Sequence, residues 1–320
     1  MRKNQNFAQP TVTSTYAGEF AGKYIASALL SATTLDKNYI TIMPNVKYKS
    51  VIQKIDVNSI ITDASCDFAT SGTVALSERI IQPKELQVNL QLCKAEFLNS
   101  WESLQLGYSA FDTIPATFND FLVSYIGGKV AEATEQSIWG GVAATNGQFG
   151  GIYNALSSSV VAGGSSAPIT ASLSGSVDSS NVRARLNSLV DAIPQTIYGK
   201  EDVLIYIPTN VAKAYQSALS GNGSGGLGAN GYNNQMNVDS KPMNFQGVEL
   251  AWCPGLASSA MVAAQKSNLF FGTGLMSDYN LVKVLDMEDL DGSQNFRIIM
   301  RYTAATQYGI GSDIAIYKNY

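Results

Sequence analysis

VLDMEDLDGSQNFRIIMRYTAATQYGIGSDIAIY, residues Val284–Tyr317, sets Asp286, Glu288, Asp289 and Asp291 ahead of Gly292. Four carboxylates before a glycine raise the question of a calcium loop. In an EF-hand loop oxygen ligands stand at positions 1, 3 and 5, glycine at 6 and a bidentate glutamate at 12. With Gly292 at 6, Asp291 and Asp289 fall on 5 and 3, but Met287 falls on 1 and Ile298 on 12. A thioether and a hydrocarbon do not ligate a hard cation, so no metal site is assigned. The flanks, NLVKVLDM and NFRIIMRYTAATQYGI, are rich in Val, Ile, Leu and Tyr and are joined through Asp-Gly. That is the pattern of a β-hairpin.

The 320 residues are 45% hydrophobic and only 14% charged, against roughly 25% charged for ordinary soluble domains. Such a chain implies that much of its exterior is covered by neighbouring subunits or other partners. The net charge of -4 is spread thinly, and no block of Lys and Arg exists to track a phosphate backbone. Recognition of a nucleic-acid sequence is therefore not expected. The first twenty residues lack the apolar stretch of a signal peptide and no apolar run of 18 residues occurs, which predicts a cytoplasmic product with no membrane partner. Cys66, Cys93 and Cys253 are isolated and odd in number, so they read as three buried small hydrophobes.

Histidine is absent. That removes the commonest general base, the commonest metal ligand and every Ser-His or Cys-His nucleophile. No catalytic residue, metal ligand or cofactor site is assigned, and the chain is not expected to be an enzyme. Gly221, Gly223 and Gly226 match Gly-x-Gly-x-x-Gly formally, but they follow a helix rather than a strand, so no dinucleotide grip is read there. Gly199-Lys200 is followed by Glu201, not by Ser or Thr, so there is no phosphate loop. Glu132 and Glu135 lie three apart on a helix and could pair for acid-base work, but without histidine or a matching second pair they read as a solvated face. Trp101, Trp139 and Trp252 are dispersed and read as core or interface anchors.

Along the chain, residues 1–45 are too poor in large side chains to bury themselves and read as an arm laid over something else. KSVIQKIDVNSII (49–61) and ELQVNLQLC (85–93) read as two facing strands, the second with Leu86, Val88, Leu90 and Leu92 on one face. Arms of about 16 residues reach roughly 50 Å, while a globule of this length has a radius of gyration of about 20 Å. The hairpin therefore projects onto a neighbour. KAEFLNSWESLQLG (94–107) reads as a short amphipathic helix. A long helix follows in residues 113–141, started by Pro115, Thr117 and Asp120 and ended by Gly140-Gly141. Its internal Gly127-Gly128 marks either a kink or a close backbone crossing. Residues 157–180 read as a Ser/Gly/Ala connector. Helix 179–193, strand 201–208 and a helix from 209, capped by Thr209 or Asn210, form an α/β run, followed by a glycine-rich loop and further strands in 245–255 and 261–273.

An arm, an overlong hairpin, a long helix, a small α/β lobe and a returning sheet, without catalytic apparatus, point to an α+β assembly subunit. ELQVNLQLCKAEFLNSWESLQ, GQFGGIYNAL and above all the C-terminal stretch from FQGVELAWCPGL through Tyr317 resemble the major capsid proteins of tailed bacteriophages with the Hong Kong 97-type fold. The phrasing is similar to those of phages infecting Bacteroidetes-type hosts. The resemblance implies an N-terminal arm (1–45), an extended E-loop (46–93), a peripheral domain with a long spine helix (94–175), an axial domain (176–275) whose loop near Gly221–Asn234 meets its copies at hexamer and pentamer centres, and C-terminal peripheral strands (276–320). It further implies an icosahedral shell around double-stranded DNA, assembled in the host cytoplasm, with the chain itself as partner and portal, scaffolding and decoration proteins as further ones. The arm begins almost at once, so a scaffold is expected as a separate protein unless the chain is already short. An encapsulin-like compartment is the alternative within the same fold, and a cytoplasmic enzyme on the α/β lobe is a more remote one.

Overall fold

The computed structural model describes residues 33–58, 61, 63, 73–93, 116–163, 167–220, 243–274, 282–287 and 292–318. The chain forms two compact units. The smaller takes Met1–Ala28, Asn89–Ile126 and Val282–Ile299, and the larger Leu29–Val88, Gly127–Leu281 and Met300–Tyr320. The predicted arm up to residue 32, the 94–107 helix, Trp101, Cys66 and the glycine-rich loop lie outside the described residues.

In the smaller unit β11 (Val282–Asp286) neighbours β12 (Asn295–Tyr308), closing the hairpin read around Asp-Gly. The Met287 amide donates to the Asn295 carbonyl at 3.0 Å, and Gly292 takes the left-handed φ of 68° that the turn requires. Met287, Phe296 and Ile298 are buried, so the side chains on positions 1 and 12 of the notional calcium loop serve packing.

The larger unit holds a six-stranded sheet ordered β5-β13-β9-β6-β8-β7. Its strands are β5 (Ile169–Thr170), β6 (Val203–Ile207), β7 (Met243–Phe245), β8 (Val248–Trp252), β9 (Met261–Gln265) and β13 (Ala315–Tyr317). Every residue of β6 is buried, as a continuous apolar run in a sheet centre requires. Helices α4 (Val182–Asp191) and α5 (Thr209–Ser220) supply Leu186, Leu189, Val211 and Tyr215 to the same core. β7 and β8 are joined by Gln246 (φ 50°) and Gly247 (φ 82°), the two positive angles of a type I′ turn. Thr209 and Asn210, the predicted caps, are instead the first two residues of α5: Thr209 Oγ1 accepts the Trp252 indole N–H, and Asn210 is bonded to Ser259 through both its amide atoms. The supposed connector 157–180 is partly regular structure. Residues 157–162 complete helix α3 (Ile152–Ala162), and β5 pairs in parallel with β13. The final strand, expected among the C-terminal strands of 276–320, is thus hydrogen-bonded into this sheet.

A second layer of strands in the same unit pairs β1 (Thr41–Met43) with β10 (Leu269–Thr273), and β10 with the later half of β12. Two short connections pass between the two sheets, from β9 to β10 through the 3-10 turn Lys266–Asn268, and from β12 to β13 through Gly311–Asp313. Asn268 staples these passages together. Its Nδ2 donates to the Ile310 carbonyl at 2.8 Å and its Oδ1 accepts the Ile310 amide at 2.7 Å.

The long hairpin is real but its partner differs from the one read in the sequence. β2 (Ser50–Asn58) pairs antiparallel with β3 (Thr73–Ile81), from Ser50↔Ile81 to Asn58↔Thr73. β4 (Lys84–Cys93) instead pairs with β12. Closing the chain over 59–72 costs less entropy than closing it over the longer stretch to residue 85, and TVALSERII supplies the strand. Of the greasy face assigned to β4 only Leu86 is buried, Leu90 is exposed, and Cys93 is half-buried rather than buried.

Candidate assembly surface

The ribbon β2-β3 is a two-stranded sheet of its own, and such a pair is marginal in water unless one face is packed. Its root is anchored from one side. Ile81, 1% exposed, joins Val46 and Ala305 in a small apolar cluster bordered by Met43, Ile52 and Phe270. A Cβ on Gly272 would stand 2.8 Å from Ile81 Cδ1, so glycine in β10 makes the room for that side chain. The Arg79 guanidinium lies 3.9 Å from the Tyr308 ring centroid, a cation-π contact. Gln307 Nε2 donates to the Ile80 carbonyl at 3.0 Å.

Just past the ribbon, Lys84 Nζ donates to three carbonyls of one loop, Ala143 at 3.0 Å, Thr145 at 3.1 Å and Gln148 at 2.7 Å. An ammonium has three N–H donors and here each finds an acceptor. That loop leaves the end of the long helix α2 (Ala116–Gly140), 25 residues and about 37 Å at 1.5 Å per residue. Asn154 Nδ2 donates to the Gly140 and Gly141 carbonyls at 2.7 and 3.0 Å, satisfying acceptors that a helix end leaves open. Gly141 and Gly151 cannot carry side chains, since a Cβ on either would sit about 2.5 to 2.6 Å from main-chain atoms of the helix end. GQFGGIYNAL is therefore the clasp that turns the chain back after the helix.

Glu135 contradicts its reading as part of a solvated face. It is fully buried, whereas Glu132 is paired with Lys129 at 2.9 Å on the helix exterior. The Thr34 amide donates to Glu135 Oε2 at 3.1 Å and the Thr34 hydroxyl to Oε1 at 2.6 Å. Trp139 Nε1 donates in turn to Thr34 Oγ1 at 3.0 Å. Burial raises the Glu135 pKa above the ordinary carboxylate range, and the Thr34 hydroxyl and amide, the Gly255 amide and Trp139 pull it partly back. Burial likewise pushes the Cys253 thiol and the Tyr206 phenol up, and takes Tyr39 to about 12 with help from Glu249. The Tyr206 hydroxyl donates to the Tyr39 carbonyl at 2.7 Å, and its ring lies 5.0 Å from that of Trp139. The two glutamates three apart are thus not brought together. Thr34 and Gly255 meet Glu135 from distant parts of the sequence, and nothing local to either signalled it.

Among the described residues no three Cys, Asp or Glu side chains gather as metal ligands, and no helix is long and apolar enough to cross a membrane. Trp252 is 37% exposed at the end of β8, with Trp139 wholly in the core.

No family model and no curated protein matches the sequence. Solved structures do. The chain superposes on the capsid of a native GTA particle with a TM-score of 0.62 at 14% identity, over 92% of each chain. The fold is that of phage capsid proteins. The capsid of Myoviridae phage XM1 gives 0.56 at 11% identity, over 94% of this chain and 95% of that one. A chain of Mycobacterium phage Adephagia gives 0.57 at 13%, over 92% of each. At such identities the likeness is one of backbone architecture, and it runs through nearly the whole length. Within the capsid fold the ribbon, the long helix and the six-stranded sheet are the parts assembled above, each with its own anchoring contacts.

Proposed function

We propose that the chain is the major capsid protein of a tailed phage, of the Hong Kong 97 type, which self-assembles through hexamers and pentamers into an icosahedral shell for double-stranded DNA. The observation that carries this is the superposition over more than nine-tenths of the chain on capsid structures. A chain with 14% charged residues and a two-stranded ribbon whose root is anchored by Ile81 supports it. In this reading the ribbon is the E-loop of 46–93 and docks on a neighbouring copy. The 25-residue helix is the spine of the peripheral domain (94–175 with 276–320), and the α/β core is the axial domain (176–275), drawing β5 and β13 into its sheet. Residues 1–45 are the arm. The shell is built in the host cytoplasm and becomes the virion capsid, with portal, scaffolding and decoration proteins as further partners. The Bacteroidetes-type host rests on the phrasing of the C-terminal stretch. The role is structural, with no catalytic step. Negative-stain images of the purified, concentrated chain test it: closed shells or hexamer rings are expected, and a monomer that stays monomeric under every salt and crowding condition overturns it.

A further inference from the structure

The loop 142–148, which follows the long helix, is held at its base and open at its tip. The Val142 amide donates to Gln148 Oε1 at 3.1 Å, and Lys84 Nζ takes the carbonyls of Ala143, Thr145 and Gln148. Between the last two carbonyls stands Asn146-Gly147. The Gln148 amide reaches back to the Thr145 carbonyl at 3.3 Å, which makes Asn146 and Gly147 the central residues of a β-turn. Gly147 has a φ of 77°, so its place in the turn calls for glycine, and a Cβ there would meet nothing within 4 Å. Both residues are exposed. Among the described residues, neither the Asn146 carboxamide nor the Gly147 amide makes a hydrogen bond.

An exposed asparagine followed by an unbonded glycine amide is chemically labile. Once the Gly147 nitrogen has given its proton to hydroxide, it attacks Asn146 Cγ. The new N–C bond closes a succinimide ring, the Cγ–Nδ2 bond breaks, and ammonia leaves with a proton taken from water. Water then opens the ring at either carbonyl. One opening leaves aspartate at position 146, and the other leaves isoaspartate, in which the main chain runs through Cβ and Cγ. The balance is amide plus water to acid plus ammonia, with no oxidant and no enzyme. Glycine lets the step proceed because no side chain shields its nitrogen.

We propose that Asn146 is a self-modification site, converted to aspartate and isoaspartate in the folded chain, and that the isoaspartate loosens the grip of Lys84 on the loop. The anchors of the loop sit on the residues around the tip, so ring closure disturbs first the 3.3 Å turn bond, the longest in the loop. The isoaspartyl link adds a methylene to the main chain between the Thr145 and Gln148 carbonyls. Those two acceptors are now reached together by one ammonium, whose three donors are all in use, and the longer main chain parts them. Because the loop leads from the end of α2 into α3, the loosening falls on the clasp between the two helices. The inference concerns the chain itself and does not depend on the shell reading.

The test incubates the full-length chain at neutral and mildly alkaline pH, folded and in denaturant, and maps its peptides by mass and retention. The peptide carrying residue 146 is scored apart from those carrying Asn222-Gly223 and Asn230-Gly231. In the folded chain it should gain the mass of an amide-to-acid change, split into two isomers, convert faster at the higher pH, and do so within ~10-fold of the denatured rate. Asn146→Gln, whose longer side chain closes a ring far more slowly, should fold as the unaltered chain does and keep that peptide intact. Slower conversion in the folded chain than this, or a rate indifferent to pH, overturns the site. Hydrogen exchange in 142–150 should quicken in the incubated unaltered chain and not in incubated Asn146→Gln; equal exchange in the two overturns the loosening.

Discussion

The backbone of Gly255 lies directly against the main chain of Glu135. A Cβ at Gly255 would fall 2.5 Å from the Glu135 carbonyl carbon and 2.9 Å from the Gln136 nitrogen. This close crossing on the long helix lies two turns beyond Gly127, where a Cβ would meet nothing within 4 Å. The glycine that permits it belongs to the crossing segment, not to the helix.

Opposite outcomes are expected for two Gly→Ala changes. Gly255→Ala forces main chain against main chain and should cost about 1–3 kcal/mol. Gly127→Ala fills open space on a helix and should stabilise by about 0.5–1 kcal/mol. Thermal unfolding reads both, and shifts of the same sign would contradict the crossing.

Glu135 makes stability depend on pH in a stated direction. Burial raises its folded pKa above the ordinary glutamate value of 4.5, so the folded state holds this proton more tightly than the unfolded chain does. Its contribution is therefore most favourable at and below pH 4.5 and falls as pH rises through the folded pKa. Glu135→Gln keeps the shape without the charge. Unfolding measured from pH 4 to 8 should show the mutant gaining on the unaltered chain as pH rises; a constant difference would mean the carboxyl is not titrating in this range.

Lys84→Met keeps the stem and removes the ammonium that gathers Ala143, Thr145 and Gln148. Since the group is partly exposed, a cost of about 1 kcal/mol is expected. Hydrogen exchange should quicken in 142–150 and stay unchanged in β6, whose five residues are buried. Uniform quickening would show instead a global loss of stability.

Replacing Lys54–Ser77 by Asn-Gly would join the cross-strand partners Gln53 and Glu78 through a two-residue turn. The shortened chain should keep near-native circular dichroism and lose all large assemblies. A collapse of folding comparable to a core mutation would show that the outer ribbon supports its own subunit.

If the chain forms a shell as proposed, its wall should not hold DNA tightly. With 21 basic residues against 25 acidic ones and no cluster of them, unassembled subunits should bind duplex DNA weakly and with a shallow salt slope between about 50 and 200 mM. Micromolar binding that falls about a thousandfold over that range would reveal a basic surface.

The elements legible in the sequence were those whose signal is local. Period and punctuation were enough for the hairpin around Gly292, the all-buried strand Val203–Ile207 and the helix ending at Gly140, because a turn type, a continuous apolar run or a double glycine acts on the residues beside it. Part order along the chain pointed to the capsid fold before any contact was known. Which strands pair was not legible: β4 alternates more cleanly than β3, yet β3 takes the place beside β2 and β4 goes to β12. Pairing is settled by loop closure and by what each face meets, and neither is written in one strand. The burial of Glu135 was invisible for the same reason. Glu132 and Glu135 are alike in sequence, and only the arrival of Thr34 from about a hundred residues upstream and of Gly255 from well downstream supplies the donors that let one of them leave water.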